Sequence, residues 1–340
     1  MRHQLPLPSE DDGFRVPGML LVRTGDDDAV WDDVLTRMGE LPGMQGPPGH
    51  EPETDAGTNT SPPRRLIVAH DPAWRGASLK EVTAALAQPG IWMPDLVLLT
   101  DERTARNPQT RPLLAFGRGD GGDDGDLHDF WITPRQAAMT YLVLHQPSVY
   151  FAVGHFAKRA PNEPDRQAGE GEELTEDHLP NPVGTAMETL TAPPRYTRPA
   201  RELPVLSHET DLLVRTDFTD DAAWTALVQA VSHAEYLDTG EDCSDRVRFV
   251  DDPAFTGATP EQVMAQVLAA PEEEDRIVAD VVLIADATTL HEPQRRVLVV
   301  PMRDDIGLTF RVDPDLAGSM LLNLGISSQD IDDYRDANAR

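Results

Sequence analysis

The chain has 340 residues, with 39% hydrophobic residues and 24 glycines, which is enough apolar content for two packed cores and gives a prior of two domains. Its 59 acidic residues against 29 basic ones give a formal charge of -30. Such a field repels phosphate backbones and anionic bilayers, so nucleic acid and membrane are not expected partners, whereas a basic protein or a cation is. No run approaches the roughly 18 apolar residues that span a bilayer, no basic and apolar leader is evident, and the single Cys243 cannot close an intrachain disulfide. The expected location is the cytoplasm.

In chain order, residues 1–17 are polar and turn-rich and read as a loose N-terminal arm. A first α/β domain is expected over 18–158. It opens with a strand from Met19 to Thr24, followed by an amphipathic helix on Trp31, Val34, Leu35 and Met38. Residues 39–63, dense in Gly, Pro, Glu and Thr, read as a surface loop. A second strand, Arg65 to His70, leads through Asp71-Pro72-Ala73-Trp74-Arg75-Gly76 to a helix whose start is marked by the capping-box spacing of Ser78 and Glu81. The continuous apolar run Leu96 to Thr100 predicts a strand buried on both faces. Further strands are expected at Pro112 to Phe116 and Phe130 to Ile132, then a helix after Pro134. Residues 159–207 mix Pro, Glu, Gly and Thr with few large apolar side chains and read as a linker.

The same string then returns over 208–336. Leu20-Leu21-Val22-Arg23-Thr24 is matched by Leu212-Leu213-Val214-Arg215-Thr216, Trp31 by Trp224, and Asp71-Pro72-Ala73-Trp74 by Asp252-Pro253-Ala254-Phe255. Asp95 to Asp101 is matched by Asp280 to Asp286, and Thr104, Pro108 and Arg111 by Thr289, Pro293 and Arg296. Ordered blocks at a nearly constant shift are the mark of an internal repeat. The expected fold class is α/β: two tandem copies of a small, mainly parallel sheet domain with helices packed on it, joined as an intrachain pseudo-dimer.

Residues 212–224, 249–255, 259–262 and 285–290 together resemble an uncharacterised domain family common in actinomycete proteins. The resemblance covers nearly all of 208–336. It is more distant in the first copy, where Gly25 stands in place of Asp217-Phe218 and His70 in place of Asp251. It implies no activity.

Ligands of open parallel sheets bind beyond the carboxyl ends of the strands, and three strands of the second copy end in acid: Asp217, Asp251 with Asp252, and Asp286. Two readings stand. Asp217, Asp252 and Asp286 can gather round Mg²⁺, with Arg215 orienting an anionic substrate, which would make a metal-dependent enzyme. Alternatively the aspartates cap turns and helices, and Arg215 pairs with Asp286. A phosphoacceptor domain would need a lysine at the site, and the only lysines are Lys80 and Lys158. The Gly117 to Gly122 stretch fits a dinucleotide fingerprint as text, but acids follow it instead of a helix, and the acidic flank of Cys243 disfavours a nucleophile. The composition therefore favours a non-enzymatic protein-binding or regulatory module without a cofactor.

Overall fold

A computed structural model describes residues 4–9, 16–42, 44, 64–117, 128–144, 196–208, 211–232, 247–269, 280–302, 306, 309–325, 328–331 and 333–334. Most of the 39–63 loop, the linker up to 195, the Gly-rich stretch from 118 to 122 and Cys243 lie outside the described residues. The chain forms two compact units, Met1–His145 with Val149–Arg198, and Gln146–Ser148 with Pro199–Arg340.

The first unit holds strands β1 (Gly18–Arg23), β2 (Arg65–Ala69), β3 (Leu96–Thr100), β4 (Leu113–Gly117) and β5 (His128–Ile132), in the spatial order β2-β1-β3-β4-β5. Helices α1 (Asp28–Met38), α2 (Leu79–Leu86), α3 (Glu102–Arg106) and α4 (Pro134–Val143) fall between or after them. The second unit repeats this order. Its five-stranded sheet, read from the opposite edge, runs β8 (Val247–Val250), β7 (Asp211–Arg215), β10 (Val281–Ala285), β11 (Val297–Pro301) and β12 (Phe310–Val312). Its helices are α5 (Asp221–Ser232), α6 (Pro260–Met264), α7 (Ala287–His291) and α8 (Pro314–Gly325).

Both sheets are mixed rather than mainly parallel. β1 pairs in parallel with β2 and β3, and β7 with β8 and β10, but β3-β4-β5 and β10-β11-β12 are antiparallel. The physical reason is the connection. The connections 101–112 and 286–296 are short, and the five-residue helix in each, α3 or α7, rises only about 7 Å, less than half of the roughly 16 Å of a five-residue strand. The equally short α6 sits in the much longer connection 251–280. The chain cannot return to the start of the sheet for a parallel crossover, so it folds back beside the strand it has just left.

Local signals set the remaining elements. β3 and β10 are buried at every position, as continuous apolar runs require. On α5 the spacing of Ala223, Trp224, Leu227 and Val231 puts them on one face, which enters the core against α8 and the sheet. Burying side chains of this size is worth about 1.5–3 kcal/mol each. Ser78 with Glu81 and Thr259 with Gln262 form the expected capping boxes, and Thr133 with Gln136 forms another.

Two expectations are corrected. The described residues 4–9 and 16–17 are not loose. Leu5 and Val16 are buried, the Trp92 indole donates to the Val16 carbonyl at 2.7 Å, and the Trp92 amide donates to Pro8 at 3.0 Å. Leu5 and Val16 were too isolated in sequence to show a period, and the Trp92 contacts are long-range. The end of the expected linker is also structured: β6 (Leu206–His208) pairs in parallel with β9 (Val267–Ala269), and Tyr196 is buried in the first unit. Strands of three residues fall below what alternation can reveal. Among the described residues, no helix is long and apolar enough to cross a membrane.

Candidate functional site

In each unit the carboxyl ends of the parallel strands form a polar rim. The second unit's rim is built on Arg215, the last residue of β7, whose side chain is only 3% exposed. Its Nε donates to the Asp217 carbonyl at 2.8 Å, Nη2 to Asp221 at 2.7 Å and Nη1 to Asp251 at 3.1 Å. The guanidinium carbon lies 4.5 Å from the Phe218 ring centroid and 5.6 Å from that of Trp224. Arg215 thus ties together the end of β7, the start of α5 and the end of β8. It does not pair with Asp286, because Asp286 is taken by Arg311 of β12, at 2.6 Å from Nη2 and 3.1 Å from Nη1. The antiparallel return of β11 and β12 brings Arg311 there, and a mainly parallel sheet gave no reason to look for it.

Every carboxylate proposed from sequence has a structural duty. Asp217 accepts from the Thr219 amide at 2.8 Å and its hydroxyl at 2.7 Å, and its other oxygen lies 3.1 Å from His291 Nε2. Asp252 caps the short 3-10 turn Pro253–Phe255 through the Ala254 amide at 2.8 Å. Asp286 caps α7 through the Thr289 amide at 2.9 Å. Asp251 is half exposed and answers Arg215. The site brings Arg215 and Asp251 into contact, while Asp217, Asp252 and Asp286 each face their own donors. Among the described residues, no group of three or more His, Cys, Asp or Glu side chains is placed to hold a metal ion.

The charge states follow from these partners. Burial pushes the Asp286 carboxyl up, but the Arg311 guanidinium and the Thr289 amide and hydroxyl outweigh it and hold the group below the usual aspartate range. Burial likewise raises Asp217, and the Thr219 hydroxyl and amide, followed by His291, bring it down. Both are carboxylates at neutral pH and neither is poised as an acid.

The first unit keeps part of this design. Arg23 donates to the Gly25 and Asp26 carbonyls, both at 3.2 Å, contacts Asp28 and lies over Trp31. Asp71 and Asp101 cap their turn and helix as Asp252 and Asp286 do. In both units the buried threonine of the short helix reaches the carbonyl that precedes the next strand: Thr104 to Pro112 at 2.6 Å, and Thr289 to Arg296 at 3.0 Å. The Asp-Pro-Ala-aromatic loop is anchored alike, by Gly76 to the Thr24 carbonyl at 2.7 Å and by Gly257 to Thr216 at 2.8 Å. Both glycines have positive φ, 63° and 72°, where a Cβ would be strained. The aromatic of each loop, Trp74 or Phe255, is buried. One sequence match shifts by a residue. Arg111 and Arg295, with φ of 49° and 51°, occupy the same turn, so Arg111 corresponds to Arg295 and not to Arg296.

The family described as Domain of unknown function (DUF6924) matches residues 210–340, the stretch that carries the Arg215 rim. No curated protein and no solved structure matches the chain.

Proposed function

We propose that the protein is a non-enzymatic binding or regulatory module of the cytoplasm, built from one duplicated domain, that presents acidic strand-end rims to a basic protein partner. The duplication is supported by the shared strand order, by the equivalent arginines Arg23 and Arg215, and by the matching glycine-anchored loops. The observation that carries the binding reading is the state of the rim acids. They are engaged in caps and ion pairs, yet they leave carboxylates facing water: the Asp28 and Asp221 side chains are 80% and 89% exposed even while each contacts a buried arginine. Together with a chain charge of -30 this makes a surface that steers cationic partners, with an on-rate that falls as salt rises.

The test uses the full chain and a deca-arginine peptide as probe, titrated at low and at physiological salt. Asp220 accepts from the Ala223 amide at the start of α5 and Asp315 is exposed in the first turn of α8, so the triple variant Asp220→Asn, Asp252→Asn, Asp315→Asn removes three charges while asparagine retains the capping capacity of the first two positions. The expected result is binding at least tenfold weaker with a flatter salt dependence. Equal binding by the neutralised variant would overturn the reading.

A further inference from the structure

The two rims differ where β5 and β12 lie. In the second unit Arg311 stands opposite Leu298 on the neighbouring strand and answers Asp286. In the first unit the corresponding position, opposite Leu114, is Trp131, and the guanidinium carbon of Arg103 lies over its ring, 4.6 Å from the centroid. Trp131 is 2% exposed, yet its Nε1 has no acceptor among the described residues, and neither has Nη1 of Arg103, which is likewise buried. Leaving such donors unmet is costly, and more so for a charged group. The second unit shows that the fold does not need them, because it has Thr288 and Arg311 in these places and Arg311 is fully engaged.

We propose that Arg103 and Trp131 form a small oxyanion subsite in the first unit, taking one carboxylate or phosphate group. The contact uses the face of the indole ring, and it leaves the indole N–H at the ring edge and Nη1 of the guanidinium for an acceptor. A guanidinium edge suits two oxygens of one oxyanion, and an indole N–H adds a neutral donor that does not accept in return. Arg103 is partly exposed as a residue, whereas its Nη1 and Trp131 Nε1 are closed to solvent, so an oxyanion reaches the two donors when the Arg103 side chain shifts. The adjacent Asp101 does not fill the role: its Oδ1 is committed to the Arg103 and Thr104 amides and the Thr104 hydroxyl. The acidity of the whole chain weakens capture of a free anion, and selectivity rests on this local donor pair.

The experiment follows the indole N–H resonances of the isotopically labelled full chain by NMR, assigning Trp131 from the Trp131→Phe variant. Inorganic phosphate and acetate are titrated at constant ionic strength against chloride. Trp74 is the internal control, since among the described residues its buried Nε1 also lacks an acceptor and no arginine lies over its ring. The expected result is a saturable shift of the Trp131 N–H alone, with apparent affinity reduced about tenfold or more in Arg103→Met, which keeps the apolar stem over the ring. Phosphate acting without acetate would identify a phosphoryl ligand, and the reverse a carboxylate. A Trp131 resonance unmoved by both anions, a shift shared with Trp74, or a shift unchanged in Arg103→Met would overturn the proposal. If Trp131→Phe fails to fold, the Arg103→Met comparison still decides the matter.

Discussion

Arg23 and Arg215 occupy the same place at the end of a central strand, yet they hold different amounts of structure. Arg215 joins three elements through two carboxylates and a carbonyl and is flanked by two aromatic rings. Arg23 has one carboxylate in that contact, two carbonyls of its own loop and one ring, because Gly25 brings no side chain and His70 stands where Asp251 does. The second rim is further closed by the contact of Asp217 with His291 and by the pair of Arg311 with Asp286. The comparison separates two kinds of residue. The strand-end arginine, the capping aspartates and the buried threonine occur in both units and answer needs of the fold. The cross-rim partners differ and are where the units have specialised.

The largest effect is expected at the arginines. Arg215→Met should cost about 2 kcal/mol of unfolding free energy, since it removes a buried cation that joins three elements, while the carboxylates it leaves, 89% and 50% exposed, are answered by water. Arg23→Met should cost clearly less. Denaturant unfolding of the full chain, read by near-UV circular dichroism, checks the order, and an equal loss would remove the distinction between the rims. Next come the shared threonines. Thr104→Val should cost about 1–2 kcal/mol, because it leaves the buried Pro112 carbonyl without its hydroxyl donor. Thr289→Val should cost less, because the Arg296 carbonyl keeps Nη1 of Arg311 as a donor, and an equal loss would show that second donor to be idle.

Smaller still is the Arg311 pair, and it carries a pH signature. Asp286 has a folded pKa below its unfolded value of about 3.9. Its contribution is therefore complete above that unfolded value and disappears as pH falls through the folded one. Arg311→Met should be about 1 kcal/mol less stable than wild type at pH 7, with the gap closing as pH falls below the unfolded aspartate value and through the lowered folded one. Chemical denaturation across that range reads it, and a gap independent of pH would mean that Arg311 acts by packing.

Much of this was legible in the sequence. Five strands and three helices of each unit followed from periodicity, from the capping boxes at Ser78 and Thr259 and from the buried runs of β3 and β10, whereas α3, α7, β6 and β9 were too short to show. Strand direction was not legible, because the alternation of strands with helices suggested crossovers throughout, and the short connections 101–112 and 286–296 were not weighed against the strands they would have to span. The candidate acids were found, but their partners were not. Arg311, His291 and Thr219 lie at sequence separations from Asp286 and Asp217 that no local spacing marks, and the Arg103–Trp131 stack joins a helix to a strand across a hairpin. Trp131 corresponding to Arg311 offered one signal, a polar exchange within an otherwise matched strand, which a position-by-position alignment of β5 with β12 would have exposed.

The central claim is that the strand-end carboxylates of the second unit are structural and serve a binding surface, rather than forming a strained metal site. It is tested most directly by the thermal midpoint of the full chain as wild type and as Asp286→Asn, each with and without millimolar Mg²⁺. The account predicts a lower midpoint for Asp286→Asn, from the lost charge opposite Arg311, and no effect of Mg²⁺ on either protein. A variant that melts higher than wild type without metal, together with a Mg²⁺-induced rise confined to wild type, would contradict it.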